Sequence, residues 1–212
     1  MDGIALTDHQ SAKNCVAIAE CAHRANIGVL FGMEVQTAEE VHTLALFDTI
    51  DKALELSEWV GCALPPRKNK PEVFGDQPVV TWDDEIIEIE EKLLSAGCSR
   101  SIPETAAFVH ARDGLYLAAH VDRPYYSVIS GLGGIPENCF DAVELSRTAE
   151  STQWASQTRG YAVIRSSDAH HPNDVARVWT EAEGTFSIAG LKDIFRHQAT
   201  QLSERLTCFS TN

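Results

Sequence analysis

The sequence predicts an α/β fold made of β/α units closed into a barrel, as a single domain over residues 1–212. Three observations point there. Short apolar runs alternate with helical stretches along most of the chain, a pattern that builds parallel strands joined by crossover helices. No Gly-x-Gly-x-x-Gly loop follows the first run, so an open dinucleotide-binding sheet lacks its signature. Histidines and acids stand just past the apolar runs, and in a β/α barrel those strand ends form the active-site face. At 212 residues the chain has the size of one domain and can bury roughly 70% of its unfolded surface.

The first run, Gly3-Ile-Ala-Leu-Thr7, reads as a buried strand leading directly into Asp8-His9. Ser11–Ala25 is alanine-rich, with Ser11 placed to cap a helix and Gly28 to close it. Val29–Val35 is the next strand and carries Gly32-Met-Glu34. A third apolar run, Val41–Phe47, holds His42 near its start, and Asp48–Leu64 reads as a helix ended by Pro65-Pro66. Gln77–Thr81 and Glu85–Glu88 are short β-type runs joined by Trp82-Asp83-Asp84, a hairpin inside an insertion over residues 66–100. Ser101-Ile-Pro-Glu104 is a capping box with proline in the first turn of a helix that ends near Gly114. Leu115–Ala119 is a strand terminating at His120, and Ala142–Leu145 is another. A helix over Ala149–Thr158 and a strand over Tyr161–Arg165 precede Ser166-Ser-Asp-Ala-His170. A last strand near Val178–Ala182 and an amphipathic helix over Ser187–Gln198 complete the pattern.

The chain carries 31 acidic and 17 basic residues, a net charge of −14. That balance argues against non-specific nucleic-acid binding, which needs clustered Lys and Arg. An anionic substrate remains compatible, because bound metal ions supply local positive charge. The acid-rich window Trp82–Lys92 reads as a solvated surface. None of the six cysteines has Cys-x-x-Cys spacing, so they read as reduced thiols packed as small hydrophobes. The longest apolar stretches, such as Ile27–Val35, are too short to span a bilayer, and no leader pattern stands at the start. The expectation is a cytoplasmic protein with no membrane partner.

The polar residues carry the chemistry. His9, Glu34, His120, Asp168 and His170 each lie just past an apolar run, and His42 opens one. Imidazole nitrogen and carboxylate oxygen suit zinc, manganese or iron, and one carboxylate can bridge two ions. A single histidine at a strand end is more often a hydrogen-bonded structural residue. Six such residues at one end of one architecture read as a metal site. His23, His110 and His197 fall at isolated positions inside predicted helices and read as surface or packing residues. The tryptophans, Trp59, Trp82, Trp154 and Trp179, are scattered without the spacing of a base-stacking platform.

Thr7-Asp-His9, Gly32-Met-Glu34, His42, His120 and Ser167-Asp-Ala-His170 together resemble the polymerase and histidinol phosphatase (PHP) family, in its phosphoesterase branch. The resemblance runs from Met1 to about His171, and the Ser-Asp-Ala-His motif is its most specific element. Ala119-His-Val-Asp-Arg-Pro124 and Ser11-Ala-Lys-Asn-Cys15 look like a bacterial subgroup of metal-dependent phosphoesterases. The resemblance implies a distorted (β/α)7 barrel holding up to three divalent ions. It implies that Glu34 bridges two ions, with Asp168 as a ligand of the first. His42 and His120 then bind the second, and His9 and His170 the third. Asp8 takes a place behind the ligands, orienting a histidine or nearby backbone. Arg123 has two readings, a phosphate contact and an ordinary ion pair. His171 either sits beside the site or only begins the turn at Pro172. The reaction implied is hydrolysis of a phosphomonoester of a small metabolite or nucleotide by metal-activated water, with Arg123 neutralising phosphoryl oxygens and His170 or water assisting the leaving oxygen. The ends of short nucleic acids are a second substrate class.

One departure matters. The family opens on a strand carrying His-x-His, which supplies two ligands of the first ion, and this chain has no such motif before His9. A β/α unit of about thirty residues is the size of the missing piece. The expectation is a true start upstream of Met1, the other reading being a degenerate paralogue. Catalysis is accordingly expected to be impaired in the 212-residue chain. A different class of function is a regulatory or phosphate-binding module that keeps the fold without turnover. A metal-dependent amidohydrolase is the third reading. It needs a lysine placed to bridge two metals, whereas Lys13, Lys52 and Lys92 fall in predicted helices.

Overall fold

The computed structural model describes residues 2–204, so Met1 and Cys208 lie outside the described residues. In chain order the elements are β1 (Gly3–Leu6), α1 (Cys15–Ala25), β2 (Gly28–Gln36), β3 (His42–Phe47), α2 (Ile50–Gly61), α3 (Pro71–Phe74), β4 (Pro78–Val80) and β5 (Ile86–Ile89). They continue with α4 (Ile102–His110), β6 (Leu115–Ala118), α5 (Val128–Leu132), β7 (Ala142–Leu145), α6 (Ser151–Trp154), β8 (Ala162–Arg165), β9 (Val178–Glu181), α7 (Ile188–Arg196) and β10 (Gln201–Glu204).

Six strands form one curled half-barrel sheet in the order β1-β2-β3-β6-β7-β8. Most neighbours are parallel, as the β/α alternation predicts, but β3 runs antiparallel to both β2 and β6. The cause is the connection. Only five residues separate Gln36 from His42, and Thr37 N–H donates to the Val41 carbonyl across the turn (2.9 Å). So short a loop can only reverse the chain, since a parallel neighbour needs a crossover of a dozen residues or more. The reversal places the first residue of β3 opposite the last of β2, with Gln36 paired to His42 and Glu34 to Leu44. His42 therefore stands at the same end of the sheet as the parallel strands' exits. The barrel expected from the sequence is not closed among the described residues, where β1 and β8 are the two edges of the sheet.

Both sheet faces are covered. Met33, Val35, Phe47, Tyr116 and Val143 pack with Leu56 and Val60 of α2 and Ile102 and Val109 of α4 in the larger core. Leu30, Leu46, Leu117 and Ala142 pack on the other face with Ile188, Ile194 and Phe195 of α7. Side chains alternate between faces along a strand. Glu34 and Glu144 thus fall on the α7 face, in step with Leu30 and Ala142. At Gly32 a Cβ would stand 1.9 Å from the Ala45 carbonyl oxygen, so β2 and β3 approach closely only because this residue has no side chain.

Several local expectations are corrected. Helix α1 begins at Cys15, not Ser11; Asn14 is the N-cap residue, and the Ser11 hydroxyl only accepts from Lys13 N–H (3.3 Å). Its C-terminus is closed by Asn26 in the left-handed conformation (φ 53°), while Gly28 starts β2 with the Phe186 ring lying where a Cβ would be. Helix α2 runs Ile50–Gly61 and stops before the two prolines. The helix expected over Ala149–Thr158 is a single turn, Ser151–Trp154, after which the Thr158 hydroxyl and backbone N–H both donate to the Trp154 carbonyl (3.0 Å each). Strand β9 lies outside the main sheet and pairs with β10, an element the sequence reading did not include. The capping box at Ser101–Glu104 and the β4–β5 hairpin are as expected. The described cysteines are free thiols. No helix among the described residues is long and apolar enough to cross a membrane.

Candidate metal centre

Glu34 is the hub, and each neighbour reaches it from a different element. It is 6% exposed near the end of β2. The chain leaving β1 runs alongside: Glu34 N–H donates to the Asp8 carbonyl (3.0 Å), and Gln10 N–H donates to the Glu34 carbonyl (2.9 Å). That parallel bridge holds His9 beside Glu34. Gln10 then turns in a left-handed conformation (φ 55°), anchored by its buried amide to the Gln36 and Ala96 carbonyls (3.0 Å each). His42 is held from two sides. Its N–H donates to the Tyr126 carbonyl (2.8 Å), and its ring stacks on the Tyr126 ring at 4.7 Å and 13°. His120 follows β6, 2% exposed and at φ 30°, with its backbone N–H donating to the Glu144 carboxylate (3.1 Å).

Three imidazoles converge on the Glu34 carboxylate. His9 Nδ1 lies 2.8 Å from Oε2, while His42 Nδ1 and His120 Nε2 lie 3.2 and 3.3 Å from Oε1. Burial alone would push the Glu34 carboxyl up, but hydrogen bonds to His120, His42 and His9 outweigh it and hold the group well below the usual carboxylate range. The hydrogen bond to Glu34 raises the His9 pKa above 6.5 against the opposing effect of burial. Ligand atoms of His9, Glu34 and His42 all lie within 4.8 Å of one another, a group able to hold a metal ion. The donor chemistry fits a divalent ion: a carboxylate kept ionised and imidazole nitrogens from independent elements.

The other expected site residues stand beside this group and outside it. Asp168, in a left-handed conformation (φ 44°), accepts a hydrogen bond from Arg123 Nη2 at 2.5 Å. Arg123 is thus an ion-pair partner in this structure, and the carboxylate it engages is an expected metal ligand. His170 is 62% exposed at its side chain; its Nδ1 lies 3.0 Å from the Asp168 carbonyl and its ring centroid 6.3 Å from that of His9. Among the described residues the Asp8 carboxylate hydrogen-bonds no histidine. It accepts from Asn14 Nδ2 (3.0 Å), and Asn14 Oδ1 in turn accepts from Val80 N–H (3.0 Å), which ties the hairpin to the start of α1. His171 precedes the short 3-10 turn Pro172–Asp174. His110, at the end of α4, pairs with Asp141 just before β7 (3.0 Å), and Asp141 also accepts from Tyr116 N–H (2.8 Å), a structural contact where β6 and β7 begin. Of the lysines, Lys52 lies in α2, but Lys13 precedes α1 and Lys92 sits in a β-bridge, so their expected helical placement is corrected. Lys13 pairs with Glu88 and Glu90, and Lys92 Nζ donates to the Gly61 carbonyl.

Sequence reasoning missed three contributors. Tyr126 carried no motif. Ser166 had no signal beyond its place before the Ser167-Asp-Ala-His170 motif. Glu144 lay inside the apolar run Ala142–Leu145, where a lone acid flanked by apolar residues was the available signal.

No protein-family model matches this chain, and no curated protein matches it in sequence. Solved structures do resemble it. A protein of Bifidobacterium adolescentis assigned as a metal-dependent phosphoesterase is 19% identical, with 81% of this chain and 78% of that one covered, at a TM-score of 0.54. The lesion-specific endonuclease Q of Pyrococcus furiosus is 17% identical over 95% of this chain, with a TM-score of 0.53. An endonuclease Q bound to a 27-mer duplex with an abasic lesion at its active site is 15% identical over 91% of this chain, with a TM-score of 0.55. The chain spans 57% and 47% of the length of those two endonucleases. At these identities the likeness is one of fold.

Proposed function

We propose that this chain is a metal-dependent phosphoesterase of the PHP type, a single domain over 1–212 derived from a (β/α)7 barrel, with residues 66–100 as an insertion. The observation that carries this reading is the convergence of His9, His42 and His120 on Glu34. These four residues would hold divalent metal, with manganese, zinc and iron all suited to the donor set. Asp168 and His170 extend the site toward a further ion. A divalent ion bound there supplies Lewis-acid polarisation of a phosphoryl oxygen and lowers the pKa of water.

The chain's own residues do the rest. Arg123, 40% exposed at its side chain, exchanges Asp168 for a phosphoryl oxygen and neutralises its charge. Where it holds no metal, a protonated His170 would give a proton to the leaving oxygen, the alternative donor being water. A phosphomonoester of a small metabolite or nucleotide is the substrate class best suited to a chain of net charge −14, with the ends of short nucleic acids second. The test is metal content per chain after growth with manganese, iron and zinc, followed by hydrolysis of a generic aryl phosphate. One or more ions per chain, lost in His120→Ala, together with metal-dependent turnover, is the expected result. A second reading is a phosphate-binding regulatory module, favoured by the Arg123–Asp168 pair that occupies one expected ligand. It predicts bound phosphate and no turnover.

A further inference from the structure

Glu144 occupies the centre of β7, between the buried Val143 and Leu145, and is itself only 3% exposed. Burial pushes its carboxyl up, as expected for an acid taken from water. Both oxygens are taken by donors from neighbouring strand exits. Oε2 accepts from His120 N–H just past β6 (3.1 Å), and Oε1 accepts from the Ser166 hydroxyl just past β8. The Glu144 carbonyl also accepts from Val121 N–H (2.8 Å). One residue thus ties together the two loops that deliver His120 and Asp168. Both delivered residues are in the left-handed region, at φ 30° and 44°. Side chains other than glycine are rarely found there, and such backbone persists only where its surroundings over-determine it.

We propose that Glu144 is the positioning residue of the centre: its buried carboxylate straps the exits of β6 and β8 together and fixes His120 against Glu34. The inference rests on the metal-centre reading above. An apolar side chain here would leave the His120 amide without its acceptor and free the loop to abandon its strained turn. Outer partners of this kind set the orientation of ligands and typically control about 10–100-fold in metal affinity. Glutamine keeps the reach and an oxygen for the His120 amide, and its NH2 can donate to the Ser166 hydroxyl. Aspartate keeps the charge and loses the reach.

The experiment is a Co2+ titration followed by visible absorption, together with hydrogen exchange of the His120 and Val121 amides without metal. Glu144→Ala is expected to bind Co2+ about 10–100-fold more weakly than wild type, with an altered absorption band and a rapidly exchanging His120 amide. Glu144→Gln is expected to keep the wild-type Co2+ affinity, absorption band and His120 amide protection, whereas Glu144→Asp follows alanine and replaces it should alanine not fold. The proposal is overturned if alanine and aspartate variants bind Co2+ like wild type. It is equally overturned if glutamine fails as badly as alanine, which would make the charge itself the requirement. Wild-type protein that binds no Co2+ overturns the metal-centre reading, and the amide exchange, which needs no metal, then decides the strap by itself.

Discussion

Glu34 shows how a buried ion is tolerated. A carboxylate out of water is costly unless it is paired and hydrogen-bonded, and here three imidazole nitrogens within 2.8–3.3 Å do both. Glu34→Gln removes the charge those rings converge on and is expected to weaken metal binding by at least about tenfold, since even outer partners control that much; metal analysis of the purified variant checks it. The pH dependence has a defined sign. The His9 pKa is raised by its hydrogen bond to Glu34, and metal competes with that proton. Affinity is therefore expected to fall as pH is lowered through the raised His9 value, and a flat titration between pH 5 and 8 would count against His9 as a ligand. In metal-free protein the slope is opposite. The His9–Glu34 pair stabilises fully below the ring's ordinary value of about 6.5, and that contribution is lost as pH rises through the raised one.

At the scale of elements, the β2–β3 hairpin is what brings Glu34 and His42 together. Its close approach at Gly32 leaves no room for a Cβ, which would meet the Ala45 carbonyl at 1.9 Å. Gly32→Ala is expected to cost about 1–3 kcal/mol in urea unfolding, the range for forced overpacking, and to lower metal affinity because Glu34 lies two residues on. Helix α4 gives a contrasting case remote from the site. The Ser101 hydroxyl caps the Glu104 N–H, and the Glu104 carboxylate returns to Ser101 N–H at 2.9 Å. Ser101→Ala is expected to cost about 1 kcal/mol with metal binding unchanged. Equal effects of the two variants on metal affinity would remove the special place assigned to the hairpin.

For the whole molecule, the centre joins segments far apart in sequence: the exit of β1, the hairpin, the loop after β6 and, through Glu144, the exit of β8. An ion bound at such a junction favours the folded chain by mass action, by about 2.7 kcal/mol at a hundredfold excess over Kd. For a domain of this size that corresponds to a rise of roughly 5–10 °C in Tm. Calorimetry with Mn2+ or Zn2+ against a chelator is the check, and His120→Ala is expected to lose the rise. The net charge of −14 sets the long-range field. It disfavours a polyanion approaching without neutralising metal, in contrast to a small ester that meets only the local site.

The elements were legible in the sequence wherever their signal was local. Alternating apolar runs marked β2, β6, β7 and β8, and the capping box at Ser101 and the amphipathic pattern of α7 marked helices, because caps and side-chain periodicity act within a few residues. The ligand-type residues were legible for the same reason, each being a polar group set at one end of an apolar run. Tertiary structure alone decided the direction of β3, the pairing of Arg123 with Asp168 and the use of Glu144 as an acceptor for His120 and Ser166. Those outcomes depend on partners 6 to 45 positions apart, whose meeting is set by strand register and loop length. The sequence by itself determined which side chains were available for metal chemistry; folding decided which of them share a carboxylate, because only the sheet brings their strand ends to one place.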